Sequence, residues 1–116
     1  MRLAEICKLL GCEVICAARA DHEPDIATCF AADLMSDVLA KAGKDALLIT
    51  GLTSAQVVHT ADVADLKAVM FVCSKRPPQQ VIDMAAELGL PLLTTHHTMF
   101  AASGLLWAAG LHCGQG

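Results

Sequence analysis

Three apolar runs in the second half of the chain constrain the fold more than any other feature. They are ALLIT (46–50), KAVMFVC (67–73) and LPLLTT (90–95). None alternates between apolar and polar residues, so a strand built from any of them is predicted to be buried on both faces. Each run is followed by a turn and then by a segment with helical spacing: TSAQVVHTADVAD (53–65), PQQVIDMAAELG (78–89) and HTMFAASGLLWAAGL (97–111). Repeated strand-then-helix units predict an α/β domain with a mostly parallel sheet covered on both sides. Right-handed crossovers then place the three strand-to-helix turns on one edge of that sheet.

The first half supplies the remaining elements. RLAEICKLL (2–10) puts Leu3, Ile6, Cys7 and Leu10 on one helical face, and Gly11 ends it. CEVICA (12–17) and DIATCF (25–30) read as short strands separated by the polar loop ARADHEPD (18–25). ADLMSDVLAKAG (32–43) reads as a helix with Leu34, Val38 and Leu39 inward. The expectation is a three-layer α/β/α sandwich with about five strands. It forms one domain over residues 1–111, followed by a tail, 112–116, expected to fray.

Composition narrows the function classes. A chain of 116 residues buries roughly two thirds of its unfolded surface. Here 55% of the residues are hydrophobic and 17% charged, an apolar excess that either faces a partner or fills a thoroughly buried sheet. A net charge of −4 leaves no basic footprint for nucleic acid, and three Phe, one Trp and no Tyr leave few base-stacking platforms. The apolar runs are far shorter than the ~20 residues a membrane-spanning helix requires. Neither a nucleic acid nor a membrane is therefore expected as a partner, and a cytoplasmic location is. The six cysteines are then read as reduced thiols used as small core hydrophobes.

The strand-end edge carries the candidate ligand-binding residues. Thr50, Gly51, Thr53 and Ser54 follow one strand, Ser74, Lys75 and Arg76 the next, and Thr95, His96 and His97 the last. Helix N-termini beside Lys or Arg favour anions, so a small anionic or nucleotide-like effector is one reading. The other is that the hydroxyls cap helices and the cations are solvated. Because strand residues alternate sides, His96 and His97 are predicted to point apart and not to chelate one metal. Structural or capping roles lead for them, with ligand or interface contact second and catalysis third. Asp33 is expected to cap the helix it precedes, and Ser36 and Asp37 to cap or to meet a neighbouring subunit.

Two chemistries find little support in the residues. No G-x-x-x-x-G-K-[ST] or G-x-G-x-x-G string is present, and phosphoryl transfer depends on such a phosphate cradle. Cys7, Cys12 and Cys16 are spaced C-x4-C-x3-C, unlike common iron–sulfur motifs, and their side chains are expected to diverge. No catalytic residue, metal ligand or cofactor is assigned, and an iron–sulfur or electron-transfer role for the cysteines is the alternative.

Two segments, AADLMSDVLA (31–40) and residues 47–106, resemble the DRTGG-domain family. The resemblance is carried by Asp33-Leu34-Met35-Ser36-Asp37-Val38, Thr50-Gly51, Arg76-Pro77, Thr94-Thr95 and Thr98-Met99-Phe100. The Asp-Arg-Thr-Gly-Gly string that names the family is absent, and Gly51-Leu52-Thr53 occupies that turn. The resemblance implies a fold similar to the N-terminal domain of HPr kinase/phosphorylase and to the DRTGG domain of CBS-containing pyrophosphatases. It implies a regulatory, homodimeric and non-catalytic module. Stand-alone members resemble proteins encoded beside iron-only hydrogenases, which implies docking on a larger redox or regulatory protein.

Overall fold

The structure, a computed structural model, describes residues 1–19 and 23–113. The middle of the loop expected over 18–25 and the last residues of the expected tail lie outside the described residues.

Helix α1 (Leu3–Leu10) buries Leu3, Ile6 and Leu10 along one side and stops at Gly11, whose φ of 61° lies in the left-handed region. Strands β1 (Glu13–Cys16) and β2 (Thr28–Ala31) follow, then α2 (Met35–Lys41). The regular half comprises β3 (Ala46–Thr50), α3 (Ala55–Val63), β4 (Ala68–Phe71), α4 (Gln79–Leu88), β5 (Leu92–Thr94) and α5 (Met99–Ala108). Every residue of β3, β4 and β5 is buried, as their unbroken apolar character requires.

The five strands form one sheet in the order β1-β5-β4-β3-β2. Strands β2 to β5 are parallel neighbours in chain order. β1 alone runs antiparallel, against β5, with Glu13 opposite Thr94. Successive right-handed crossovers that all step the same way put their helices on the same face. Val38 of α2, Val57, Val58 and Ala61 of α3, and Val81 and Ala85 of α4 accordingly pack with Leu48, Val69, Phe71 and Leu92 in one core. The other face is closed by α1 and α5, where Ile6, Leu10, Ala102 and Leu106 meet Leu47, Ile49, Met70 and Leu93. The fold is the expected three-layer α/β arrangement, with a mostly parallel sheet of five strands.

Two local expectations change. Helix α2 begins at Met35, not at residue 32, and buries Met35 and Val38, while Leu34 and Leu39 are 61% and 52% exposed. Leu34 has extended backbone (φ −93°, ψ 112°), so it is not on the helical face at all. At the other end, residue 112 is held in place. The Cys29 N–H donates to the His112 carbonyl at 3.0 Å, and the His112 ring stacks on Trp107 at 3.9 Å.

Candidate functional site

The carboxyl ends of β2, β3, β4 and β5 share one edge, as the topology requires. Chain reversal at β1 adds a fifth contributor, the carboxyl end of α1. The edge divides into two halves with different chemistry.

In the β2–β4 half, Asp33 is the organiser. One carboxylate oxygen accepts from the Thr50 hydroxyl at 3.0 Å and from the Gly51 N–H at 2.7 Å. Asp33 therefore does not cap α2, whose N-cap is Leu34 with no side-chain capping bond. The Thr50 oxygen in turn accepts from the Leu52 N–H at 3.1 Å. Lys75 reaches across from β4 and donates to the Gly51 carbonyl at 3.4 Å. A Cβ at position 51 would lie 3.2 Å from the Lys75 Nζ and 3.6 Å from an Asp33 oxygen, so a side chain there would press the ammonium back by a few tenths of an ångström. Just beyond, α3 opens at Ser54 with no side-chain capping bond, which leaves its first-turn N–H groups without a side-chain acceptor.

Lys75 is aimed by a strained turn. Cys73 and Ser74 have φ of 56° and 58°, the signature of a type I′ turn, and the Lys75 N–H closes it on the Val72 carbonyl at 3.1 Å. Bonds from the Cys73 N–H to the His97 carbonyl, 2.9 Å, and from the Ser74 N–H to the Thr95 carbonyl, 2.8 Å, hold it there. Neither residue is a glycine, so the backbone stores strain at this edge.

The β5–β1 half is internally satisfied. Thr95 is buried and donates to the Leu10 carbonyl at 2.9 Å. Its oxygen accepts from the His97 N–H at 3.3 Å. Arg76 is ion-paired with Glu13 at the start of β1, so its charge is already answered. The two histidines do not point apart: their ring centroids are 4.1 Å apart with planes tilted by 35°. Residues 96 and 97 form a bend, so the strand alternation behind that expectation ends before them. Thr98, not a histidine, caps α5 by accepting from the Ala101 N–H at 3.1 Å.

Of the expected ligand-binding set, Thr50, Gly51 and Lys75 converge around Asp33, with Thr53 and Ser54 next along the chain. Thr50 and Thr95 use their hydroxyls inside the fold. Ser36 is exposed and Asp37 half-buried on α2. Cys7 and Cys12 do not diverge: both pack in the core beneath α1 and α5, whereas Cys16 faces the opposite core. Among the described residues, no three His, Cys, Asp or Glu side chains gather as a metal site.

Two cavities lie away from the strand-end edge. One cavity of about 460 Å³ lies at the opposite edge, between Lys67 and Pro91. Another, of about 630 Å³, lies along α1 and β1, lined by Cys7 and Val14. Neither is lined by a strand-end residue. The winding supplies the reason. Open α/β sheets form their ligand crevice where the strand order reverses and helices diverge to opposite faces. Here β2 to β5 advance in one direction, and α2, α3 and α4 stay together on one side.

These features define a small α/β domain with a one-directional parallel sheet and a polar, lysine-bearing strand-end edge. The model of the DRTGG domain matches residues 5–109, and the chain belongs to that family. A solved structure with the same fold is that of the CBS and DRTGG domains of the regulatory region of Clostridium perfringens pyrophosphatase, complexed with its activator diadenosine tetraphosphate. It superposes with a TM-score of 0.75 over 90% of this chain, at 17% identity. The match spans 45% of that chain. Comparison with curated proteins returns no match. Among the described residues, no helix is long and apolar enough to cross a membrane.

Proposed function

We propose that this chain is a non-catalytic regulatory domain that senses a small anionic, nucleotide-like effector at the β3–β4 part of its strand-end edge. One observation carries the reading. The Lys75 ammonium lies over the Gly51 turn, 3.4 Å from its carbonyl, directly before a helix that opens without a side-chain cap. Cation, glycine turn and open helix start together suit a phosphate group. The pyrophosphatase regulatory region, a relative in fold, was solved with a nucleotide activator, which supports the choice of ligand class.

The test is thermal shift against inorganic phosphate, nucleoside mono-, di- and triphosphates and a dinucleoside polyphosphate. Ligand at 100 times its Kd stabilises the folded state by about 2.7 kcal/mol. Lys75→Ala should abolish the rise in Tm, while Arg76→Ala, whose partner is Glu13, should retain it. No rise across the panel, or a rise indifferent to Lys75→Ala, would overturn the reading.

The domain further acts as a homodimer in this proposal. Helix α5, MFAASGLLWA, carries no charged residue, and Phe100 and Trp107 are 90% and 61% exposed on it. An uncharged apolar face fits a second copy of itself without charge mismatch. Sedimentation of Phe100→Glu should return monomer where the parent chain is dimeric. Docking on a larger redox enzyme, such as an iron-only hydrogenase, rests on the family resemblance, and a cytoplasmic setting on the short apolar runs of the sequence. The competing proposal, an iron–sulfur or electron-transfer accessory protein, gains from the convergence of Cys7 and Cys12. Anaerobic reconstitution with iron and sulfide would then give a visible absorption band that Cys12→Ser removes.

A further inference from the structure

Cys7 and Cys12 occupy the two positions that a left-handed helix end brings together. Gly11 closes α1 in the left-handed region, and the Cys12 N–H bonds back to the Cys7 carbonyl at 2.9 Å. In such an ending, the residues joined by that bond commonly make an apolar side-chain contact. Here both are free thiols. With standard backbone dimensions, the bond holds their two Cα atoms within about 6.8 Å of each other, inside the range over which a disulfide closes. Both residues are half-buried rather than sealed. Cys12 Sγ rests 3.4 Å from the thioether sulfur of Met70, and Cys7 opens onto the groove along α1 and β1.

We propose that Cys7 and Cys12 form a redox-active dithiol that closes to a disulfide by exchange with a low-molecular-weight disulfide entering this groove. Cys7 is the attacking sulfur. Its thiolate forms a bond to one sulfur of the small disulfide, whose S–S bond breaks and whose other half leaves as a thiolate and takes up a proton. Cys12 then gives its proton to solvent, and its sulfur displaces the remaining half from Cys7, which also leaves and is protonated. The protein pair loses two electrons, and the small disulfide gains them as two thiols.

The division of labour follows from the surroundings. A hydrogen bond from Cys12 lowers the Cys7 pKa, outweighing the opposing effects of burial and Glu23. The same hydrogen bond, with burial, raises that of Cys12, which therefore stays protonated until its turn. Met70 has no proton to exchange and serves as packing. Cys16 also lines the groove, but its side chain belongs to the core on the other side of the sheet. The proposal is independent of effector binding at the strand ends.

The experiment uses the unaltered full chain, equilibrated in graded mixtures of reduced and oxidised glutathione, acid-quenched, alkylated and mapped with trypsin. Cleavage after Lys8 separates LAEICK from LLGCEVICAAR, so the two peptides stay joined only through a disulfide. The expected result is a joined pair, with loss of two hydrogens from the intact mass and fragmentation placing the bond at Cys7–Cys12. It should form at roughly tenfold less oxidised glutathione than any other cysteine modification. Cys16→Ser should leave it unchanged, and Cys12→Ser should leave glutathione attached to Cys7. Accumulation of glutathione on Cys7 of the unaltered chain with no joined peptides, or a bond to Cys16 instead, would overturn the proposal. The mapping of the unaltered chain decides the matter even where a variant fails to fold.

Discussion

Replacing Asp33 by alanine is the sharpest perturbation of the strand-end edge. It removes the acceptor of two donors at once, the Thr50 hydroxyl at 3.0 Å and the Gly51 N–H at 2.7 Å. The two donors fare differently. Gly51 is half-buried and its N–H regains water. Thr50 is fully buried, so its hydroxyl loses a partner that water does not replace. A hydrogen bond to a charged group contributes about 1.5–3 kcal/mol, and the exposure of Asp33 argues for the lower part of that range. The expected loss is about 2 kcal/mol, which for a domain of this size lowers Tm by about 8 °C. Asp33→Asn keeps an acceptor without the charge and should lose about half as much. In a Thr50→Val background the buried donor is gone, so Asp33→Ala should cost about 1 kcal/mol less than in the parent. Urea unfolding followed by circular dichroism measures all five chains, the parent included. A loss below about 0.5 kcal/mol, or the same loss in both backgrounds, would refute the assignment of Asp33 as organiser of the edge.

Two further outcomes follow from features away from Asp33. Ser74→Gly relieves a left-handed position (φ 58°), so it should stabilise the domain by about 0.5–1 kcal/mol after the greater entropy of a glycine in the unfolded chain. Urea unfolding that shows a loss of stability instead would mean that the serine side chain itself holds the turn. Stability should also fall in alkali. Burial of Cys29, with Cys113 nearby, raises the pKa of Cys29 above its ordinary 9.0. The unfolded chain thus releases this proton first. The contribution is complete below pH 9.0 and is lost as pH climbs from there through the folded value. Cys29→Ala should flatten that slope in a series of melts between neutral and alkaline pH, and an unchanged slope would assign it to other groups.

The regular half of the molecule was legible because unbroken apolar runs have one physical solution, strands covered on both faces. The failures cluster where long-range partners decide. Asp33 looks like a helix cap and Leu34 helical from spacing, but the donors at Thr50 and Gly51 take the carboxylate, and Leu34 has extended backbone. The engagement of Arg76 depends on β1 running antiparallel to β5 with Glu13 opposite Thr94, and nothing local in EVIC specifies that direction. Strand periodicity does not extend to the histidines, which lie beyond the end of β5 at Thr94. The proximity of Cys7 and Cys12 did have a local signal: a glycine helix end with a cysteine at each of the two positions it joins.

The placement of β1 also bears on how the molecule assembles. Strands β2 to β5 each pair with the next strand in the chain, so those contacts close only short stretches of backbone. The β1–β5 ladder joins Glu13 to Thr94, nearly opposite ends of the sequence. Closing that loop costs more entropy than any neighbouring pair. The α1–β1 segment is therefore expected to dock last, after the four parallel strands provide a template. Mutations such as Val69→Ala should slow refolding, whereas Ile6→Ala should chiefly speed unfolding; the reverse pattern in stopped-flow kinetics would place the amino-terminal segment in the nucleus.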